Sequence, residues 1–367
     1  MNLHIIHDEK FIDWAFEIFE EVKENQNHFV LLSSKKSKQI KFLHKTRYTI
    51  LEPKALLKLI NNGKYGIVFV HCLTTDKFSV VNKITREVKI VWLGWGLDYY
   101  SRIYQFEKKY FLSATYSLYL RHSTFSSRLK KNIYRILKRA QFIKFLNRVT
   151  FFSPVIRQDY DLLVKVFGVK MKYLPWNYGT LKENILPKIP GYKITSNDIM
   201  MGNSATYSNN HLDVFNLIGA LVGNRKIICP LSYGDANYRE IVIEQGQKIF
   251  GDKFEAISDF MSLDQYYQKI QICGNVFFGS LRQQGLGNIV TMMYFGAKIF
   301  LFKENPLYDF FKERSAIIFS FDELILNNKI LDYQLSQDDI QKNRQILELI
   351  WSREAIRNKT FKFFDEP

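Results

Sequence analysis

The sequence predicts an α/β chain of two doubly wound, Rossmann-like domains facing across a cleft. Three observations carry this expectation. Short, continuous apolar runs alternate with helix-length segments in two successive series, the pattern of parallel strands buried on both faces. A loop-rich stretch at 174–197, holding Pro175, Gly179, Pro187, Pro190 and Gly191, separates the two series. Two small turns, Met201-Gly202-Asn203-Ser204 and Arg282-Gln283-Gln284-Gly285-Leu286-Gly287-Asn288, each follow an apolar run and precede a helix-like segment.

In the first series, residues 3–7 and 29–32 read as strands with a helix over 10–23 between them. Residues 51–61 read as a helix, with Glu52-Pro53 suited to its first turn. Residues 66–71 and 89–96 are apolar runs of buried-strand type, and 149–152 is a third. Ser153-Pro154 opens the next helix. In the second series, strands are expected at 199–201, 226–229, 254–257, 274–278, 298–302 and 317–319, with helices between. The tail, about 337–362, reads as one or two polar helices. The resulting domains are 1–180, 195–336 and a helical tail at 337–367.

Of the 367 residues 47% are hydrophobic, which fits a globular chain and excludes a disordered one. No apolar run approaches the roughly 18–20 residues that span a bilayer. The first eight residues read as a strand without a basic leader, so no secretion signal is expected. Cys72, Cys229 and Cys273 are scattered, with no zinc or disulfide spacing. A reducing cytoplasmic compartment is the expectation.

The net charge is +16, which points to an anionic partner or surface. Much of it is concentrated in residues 102–148, where twelve lysines and arginines face one acid, Glu107. Aromatic residues, among them Tyr104, Phe106, Tyr110, Phe125 and Tyr134, are interleaved. Within this window Leu129, Ile133, Ile136, Leu137 and Ala140 fall at helical spacing. Arg128, Lys130, Lys131, Arg135, Lys138 and Arg139 spread over the remaining face. Such a basic amphipathic helix suits an anionic membrane leaflet. No nucleic-acid-binding motif accompanies it, and no nucleic-acid partner is expected.

A strand that ends in a Gly-containing turn and opens a helix presents unpaired backbone N–H groups and the positive end of the helix dipole, which together hold phosphate. Two such turns in one α/β segment suggest a nucleotide diphosphate held at the carboxyl ends of parallel strands. Gly202, Asn203 and Ser204 form one half of this expected site, and Arg282, Gln283, Gln284, Gly285, Leu286, Gly287 and Asn288 the other.

The run 199–211, then Pro230-Leu231-Ser232-Tyr233-Gly234, Arg282 to Asn288 and Lys303-Glu304-Asn305-Pro306 together resemble glycosyltransferase family 56, the TDP-Fuc4NAc:lipid-linked-acceptor Fuc4NAc transferases. Trp92-Leu93-Gly94-Trp95-Gly96-Leu97-Asp98-Tyr99-Tyr100 resembles a Trp- and Gly-containing segment of the family's first domain, and His71 and Pro175 fall at matching places. The resemblance is strongest over 199–306. It implies a GT-B fold, a dTDP-sugar donor carrying a dideoxy-acetamido-hexose, and a polyprenyl-diphosphate-linked saccharide acceptor. It further implies peripheral attachment to the cytoplasmic face of a bacterial inner membrane, in synthesis of enterobacterial common antigen or O-antigen. No cofactor and no metal are implied. Asp159-Tyr160-Asp161 spells a metal signature of another transferase fold, but it lies early in a helix and not at a strand end.

Transfer from a nucleotide sugar requires that the leaving diphosphate be stabilised and that the acceptor hydroxyl lose a proton. The phosphate turns serve the first need. For the second, Asp98 and His71 are the candidate bases, each following a buried strand in the first domain. The sequence leaves open which of them acts and whether the reaction inverts or retains. The resemblance further places Tyr233, Asn237, Glu304 and Asn305 near the donor. Alternatives are a GT-B transferase using a UDP- or GDP-sugar, and a non-catalytic basic module for membrane or nucleic acid.

Overall fold

The computed structural model describes residues 1–33, 40–103 and 109–365. Tyr104, Phe106, Glu107 and Lys108 of the basic window therefore lie outside the described residues.

Seven parallel strands form the first sheet: β1 (Asn2–Ile6), β2 (Asn27–Leu32), β3 (Tyr48–Leu51), β4 (Ile67–His71), β5 (Lys89–Leu93), β6 (Phe151–Ser153) and β7 (Lys172–Tyr173). Their order is β3-β2-β1-β4-β5-β6-β7. Between them run α1 (Phe11–Val22), α2 (Pro53–Asn62), α3 (Thr75–Val81), α4 (Leu97–Ile103), α5 (Ser113–His122), α6 (Phe125–Leu146) and α7 (Arg157–Phe167). The second sheet holds β8 (Ile199–Met201), β9 (Ile227–Pro230), β10 (Phe254–Ile257), β11 (Asn275–Phe278), β12 (Lys298–Leu301) and β13 (Phe319–Ser320), in the order β10-β9-β8-β11-β12-β13. Its helices are α8 (His211–Ile218), α9 (Ala236–Phe250), α10 (Leu263–Ile270), α11 (Leu286–Tyr294), α12 (Pro306–Lys312) and α13 (Phe321–Leu326), followed by α14 (Gln337–Trp351) and α15 (Arg353–Asp365).

Both sheets follow the doubly wound order, in which the chain reverses direction across the sheet after its third strand. The reversal falls between β1 and β4 in the first sheet and between β8 and β11 in the second. A crevice forms outside the carboxyl ends of strands at such a point, and the Gly202–Ser204 and Arg282–Asn288 turns lie at the one in the second sheet. The strands at these centres are the continuous apolar runs of the sequence: all residues of β1, β4, β8 and β11 are buried. Helix ends follow local chemistry. Pro53 occupies the first turn of α2, Asp235 caps α9, and Ser262/Gln265 and Ser320/Glu323 form capping boxes on α10 and α13.

Two edge strands go beyond the sequence reading. Residues 48–51 pair with β2 as β3, with Leu51 ending a strand and not opening a helix. β7 adds a two-residue edge to β6.

The chain divides into two compact units. One comprises Met1–Gln105, Leu129–Asn184 and Ile350–Pro367, the other Phe106–Arg128 and Ile185–Leu349. The tail is thus split: α15 returns to the first unit. There Arg353 and Arg357 pair with Glu21 of α1 at 2.6 and 3.5 Å, and Trp176 donates to Thr360 at 2.9 Å. In the second unit α5 is held by Asp213 of α8, whose carboxylate accepts from the Ala114 and Thr115 amides at 2.8 and 2.9 Å. An acid on a neighbouring helix thereby does the work of an N-cap.

Candidate functional site

In the second unit the two phosphate-type turns are joined by side chains. Gln284 Nε2 donates to Asn203 Oδ1 and to Thr206 Oγ1, both at 3.1 Å. Its Oε1 accepts from the Ser208 hydroxyl at 2.6 Å. Asn203 Nδ2 donates onward to the Tyr233 hydroxyl at 2.8 Å, and Arg282 Nη2 reaches Ser208 Oγ at 3.3 Å. One network thus ties the loops after β8, β9 and β11 at the reversal point of the sheet. Asn203 and Gln284 are 9% and 8% exposed, so their amides are held by protein partners.

Two glycines make this approach possible. Gly202 and Gly285 both adopt left-handed backbone, φ +66° and +67°, which other residues adopt at a cost. A Cβ on Gly202 would lie 2.8 Å from His211 Nε2, and one on Gly285 would lie 2.2 Å from the Phe278 ring. Gly285 is also the residue before α11, and no side chain caps that helix. The amides of Leu286, Gly287 and Asn288 in its first turn point toward the site with the helix dipole behind them. Gly287 has open space where a Cβ would be. This is the geometry of an anion site.

The other expected donor residues are placed unevenly. Ser204 is buried and spent on its own loop, its carbonyl and hydroxyl accepting from Asn209 Nδ2 at 2.7 and 3.2 Å. Gln283 is buried beside it. Tyr233 is 57% exposed, and Asn237 lies exposed in the first turn of α9. Asn305 is fully buried; it donates to the Ser280 carbonyl at 2.8 Å and caps α12 through the Leu307 amide at 2.9 Å. Its role is to tie the β11 and β12 loops together. Glu304 is exposed and lines a cavity of about 290 Å³ with Lys303, Phe302, Leu281 and Asp322.

In the first unit, the two candidate bases lie where the sequence places them, His71 at the end of β4 and Asp98 after β5, but both are buried against protein partners. His71 is fully buried. Its Nε2 lies 3.0 Å from His4 Nδ1, and its Nδ1 lies 2.9 Å from the Tyr178 hydroxyl. Burial first, then the neighbouring His4 and Lys77, hold its pKa well below 6.5. Lys77, buried without a carboxylate partner, donates to the carbonyls of His71 and Cys72 and to His7 Nδ1. Burial lowers its pKa to about 8. A proton arriving at His71 would enter a buried site next to that ammonium, so His71 orients Tyr178 and is not placed to receive the acceptor's proton.

Asp98 is likewise committed. Its Oδ2 accepts from the Leu73 amide at 2.8 Å and the Trp92 indole at 2.9 Å, and its Oδ1 from the Trp95 amide at 2.9 Å. From the first turn of α4 it clamps the loops after β4 and β5. Asp159 of the Asp-Tyr-Asp run accepts from the hydroxyls of Tyr99 and Tyr100, and Asp161 pairs with Arg157 at 3.4 Å.

Comparison with known proteins adds the identity of this arrangement. Residues 171–347 match the family described as 4-alpha-L-fucosyltransferase, glycosyl transferase group 56. The chain also resembles solved glycosyltransferase structures along its whole length. HepE of Anabaena in complex with UDP and glucose has a TM-score of 0.65 at 10% identity, covering 100% of this chain and 99% of that one. A glycosyltransferase from Rickettsia africae ESF-5 has a TM-score of 0.66 at 12% identity, covering 100% and 97%. Sucrose-phosphate synthase from Thermosynechococcus elongatus has 0.63 at 9%, covering 100% and 98%.

Residues 171–347 thus match the model of glycosyltransferase group 56, the family that the motifs of the second domain resemble.

The fold is GT-B and the protein is a sugar-transferring enzyme. In this enzyme the first half of the basic helix α6 is exposed on most sides. Its apolar stripe is outward: Leu129 and Ile133 are each 47% exposed, Ile136 63% and Leu137 69%. Lys131 and Tyr134 are exposed too, Arg135 and Lys138 are half-buried, and only the end of the helix, Phe142, Phe145 and Leu146, is buried. Of the six expected cations, Lys131, Arg135, Lys138 and Arg139 line an open pocket of about 260 Å³ with Arg102, Tyr134 and Phe142. Arg128 instead donates to the Leu120 carbonyl at 3.1 Å at the end of α5, and Lys130 is exposed.

The sequence reading of this enzyme does not single out Thr206 and Ser208, the hydroxyls that hold Gln284, nor His4, His7, Lys77 and Tyr178. Their signal is local. Thr206 and Ser208 fall within the 199–211 run, and His7 directly follows a buried strand, while His71 ends one.

Proposed function

We propose that this enzyme transfers a dideoxy-acetamido-hexose of the Fuc4NAc type from a dTDP-sugar to a polyprenyl-diphosphate-linked saccharide, in bacterial surface-polysaccharide synthesis of the common-antigen or O-antigen kind. The carrying observation is the Asn203–Gln284 hydrogen bond, which fuses two Gly turn–helix junctions into one anion site at the β8/β11 reversal. In this reading the leaving diphosphate lies against the Leu286, Gly287 and Asn288 amides and the Gly202 turn. Arg282 adds positive charge, in place of a metal ion. Charge developing on the leaving group meets fixed dipoles that need no reorganisation. Tyr233, Asn237 and Glu304, exposed around the network, face the sugar and nucleoside. The complex of HepE with UDP and glucose supports a nucleotide-sugar donor in a fold of this kind.

On the acceptor side, Tyr178, oriented by His71, and the Trp95 loop, clamped by Asp98, shape the end of the first sheet. The outward apolar stripe of α6, with its flanking cations, supports peripheral docking on the anionic cytoplasmic face of the inner membrane.

The test is the thermal-stability shift of the whole protein with dTDP, UDP and GDP, each alone, followed by transfer assays. A rise with dTDP that is lost in Gln284→Ala supports the reading. A rise with only UDP or GDP keeps the enzyme and removes the dTDP-sugar; no nucleotide effect removes the donor site itself.

A further inference from the structure

α5 falls between β5 and β6 of the first sheet in sequence, yet it belongs to the second unit. Its beginning is held by hydrogen bonds that the donor network does not need. Asn210, the residue before α8, accepts from the Leu112 amide through Oδ1 at 2.9 Å. Its Nδ2 donates to the carbonyls of Tyr110 and Gly279 at 3.3 and 2.8 Å. Asp213 accepts from the Thr115 hydroxyl at 2.6 Å, besides the two amides already described. Phe111 and Tyr119 pack on Tyr207, with ring centroids 5.8 and 5.6 Å away. Because Asn210 bonds both this segment and the Gly279 carbonyl just past β11, Leu112 is fixed relative to the loop that carries the second phosphate turn.

That fixing makes Leu112 one wall of the cavity of about 290 Å³ at the ends of β11 and β12. Leu281, Phe302 and Phe321 supply the rest of its apolar lining, and Lys303, Glu304 and Asp322 its polar side. The Phe302 and Phe321 rings lie 4.4 Å apart and Phe321 is buried, so this wall is firm. Lys303 pairs with Asp322 at 2.9 Å, while Glu304 extends its carboxylate from an exposed position. The cavity continues from the phosphate turn: Leu281 directly precedes Arg282, and Asn305 ties the loop after β12 to the Ser280 carbonyl. Its volume holds a single sugar ring and not a whole nucleotide sugar. Four apolar walls suit a sugar that carries methyl groups. A fully hydroxylated hexose would bury hydroxyls there without partners.

We infer that Leu112 is a specificity-determining residue for the donor. The cavity takes the donor's sugar, with its methyl groups against Leu112, Leu281 and Phe302 and an amide N–H or hydroxyl toward Glu304. The inference rests on the nucleotide-sugar donor proposed above and assigns the selection of its sugar to named side chains. Leu112 lies outside the matched residues 171–347. The choice of donor is therefore shared between the segment that bears the phosphate turns and a segment from the first half of the chain.

The experiment uses the full chain and isothermal titration with dTDP, dTDP-glucose and dTDP-Fuc4NAc, together with saturation-transfer NMR of dTDP-Fuc4NAc on the wild type. The wild type is expected to prefer dTDP-Fuc4NAc to dTDP-glucose by about tenfold to a hundredfold, the range that an apolar pocket gives against an added hydroxyl. Leu112→Ser should reduce that preference by about threefold or more, since it removes apolar contact and adds a hydroxyl. dTDP alone should bind both proteins equally, because it ends before the cavity. The NMR measurement needs no variant and holds if Leu112→Ser fails to fold. In it the acetyl and C6 methyl protons should receive more saturation than the ring protons of the same sugar. An equal preference in wild type and Leu112→Ser overturns the inference, as do sugar methyls saturated no more than the ring protons. If dTDP binds and neither sugar changes its affinity, only the cavity assignment falls. If none of the three binds, the donor reading falls and this inference falls with it.

Discussion

His4 and His71 share a single buried hydrogen bond, Nδ1 to Nε2 at 3.0 Å, and its direction is set from Asn27. Asn27 Nδ2 donates to the carbonyls of Phe19 and Lys23 at 3.1 and 2.7 Å, which fixes its Oδ1 as an acceptor. His4 Nε2, 3.3 Å from that oxygen, must then carry a proton. A neutral His4 therefore accepts at Nδ1, His71 donates from Nε2, and His71 Nδ1 accepts from the Tyr178 hydroxyl. Three side chains from β1, β4 and the loop after β7 are aligned in one sense, ending on a phenol. Neutral tautomers are the premise, and burial supplies it: His4 is pushed down to about 3.

Acid should therefore unfold the protein through its histidines. His4 and His211 are both lowered to about 3, and His71 lies well below 6.5. Each depressed pKa contributes stability that is fully present above about 6.5, the unfolded value, and is lost as pH falls toward the folded value. Between pH 7.5 and 5 His4 and His211 are each expected to remove about 2 kcal/mol, near 1.4 kcal/mol per pH unit once below 6.5, and His71 acts in the same direction. Urea unfolding measured across that range checks it. A free energy that does not change between pH 7.5 and 5 would refute the neutral, buried pair.

Gly285 and Gly287 stand two residues apart and should respond oppositely to alanine. At Gly285 the new methyl meets the Phe278 ring on a left-handed backbone, so Gly285→Ala combines a backbone penalty of about 1–2 kcal/mol with overpacking of about 1–3 kcal/mol. At Gly287 the methyl enters open space within a helix, where alanine is favoured by up to about 1 kcal/mol. Thermal unfolding should show a lower melting temperature for Gly285→Ala and an equal or higher one for Gly287→Ala. If the donor diphosphate packs against the Gly287 amide, the stable Gly287→Ala protein loses nucleotide affinity nonetheless.

Gln284→Glu separates charge from packing at the donor site. The side chain keeps its length and can still accept from Ser208, but it loses its donors to Asn203 and Thr206. Losing those bonds inside a buried network is expected to cost about 1–3 kcal/mol of stability. The added carboxylate also repels a diphosphate. Nucleotide affinity should fall at least tenfold further than in Gln284→Ala, measured by calorimetry on both variants. Equal losses would mean that no phosphate lies near this side chain.

Much of this was legible before the structure, for physical reasons. Strands β1, β4, β8 and β11 are buried on both faces and read as unbroken apolar runs, so their positions and the carboxyl-end loops could be placed closely. The Asn203 and Gln284 turns were visible because glycine marks the left-handed backbone that each needs. β3 was hidden because an edge strand carries little of that burial pattern. The roles of His71 and Asp98 were not legible, because a strand-end histidine or aspartate has the same local sequence whether it faces solvent or a neighbouring strand. Here Tyr178 lies 107 positions from His71, and no periodicity records such a partner. The exposure of α6 was equally hidden. Helical spacing separates its two faces but does not say whether the apolar one is covered.

That last ambiguity yields the remaining prediction. With Ile136 and Leu137 63% and 69% exposed, replacing both by glutamate removes no packing from the first unit, so the melting temperature should change by little, as for other exposed sites. Binding to vesicles with anionic lipid should respond strongly. Burying an aliphatic side chain of this size contributes about 1.5–3 kcal/mol, and each nearby lysine or arginine adds about 1 kcal/mol at an anionic surface. The double variant Ile136→Glu/Leu137→Glu exchanges the first contribution for two carboxylates that oppose the second, so vesicle partitioning should fall at least tenfold. Co-sedimentation at low and high salt divides the two contributions. High salt weakens the wild type only in part, since the apolar stripe is unscreened. Unchanged partitioning of the double variant would place the membrane contact elsewhere on the enzyme. A large drop in melting temperature would mean that the stripe is packed in solution and that α6 does not present it to lipid.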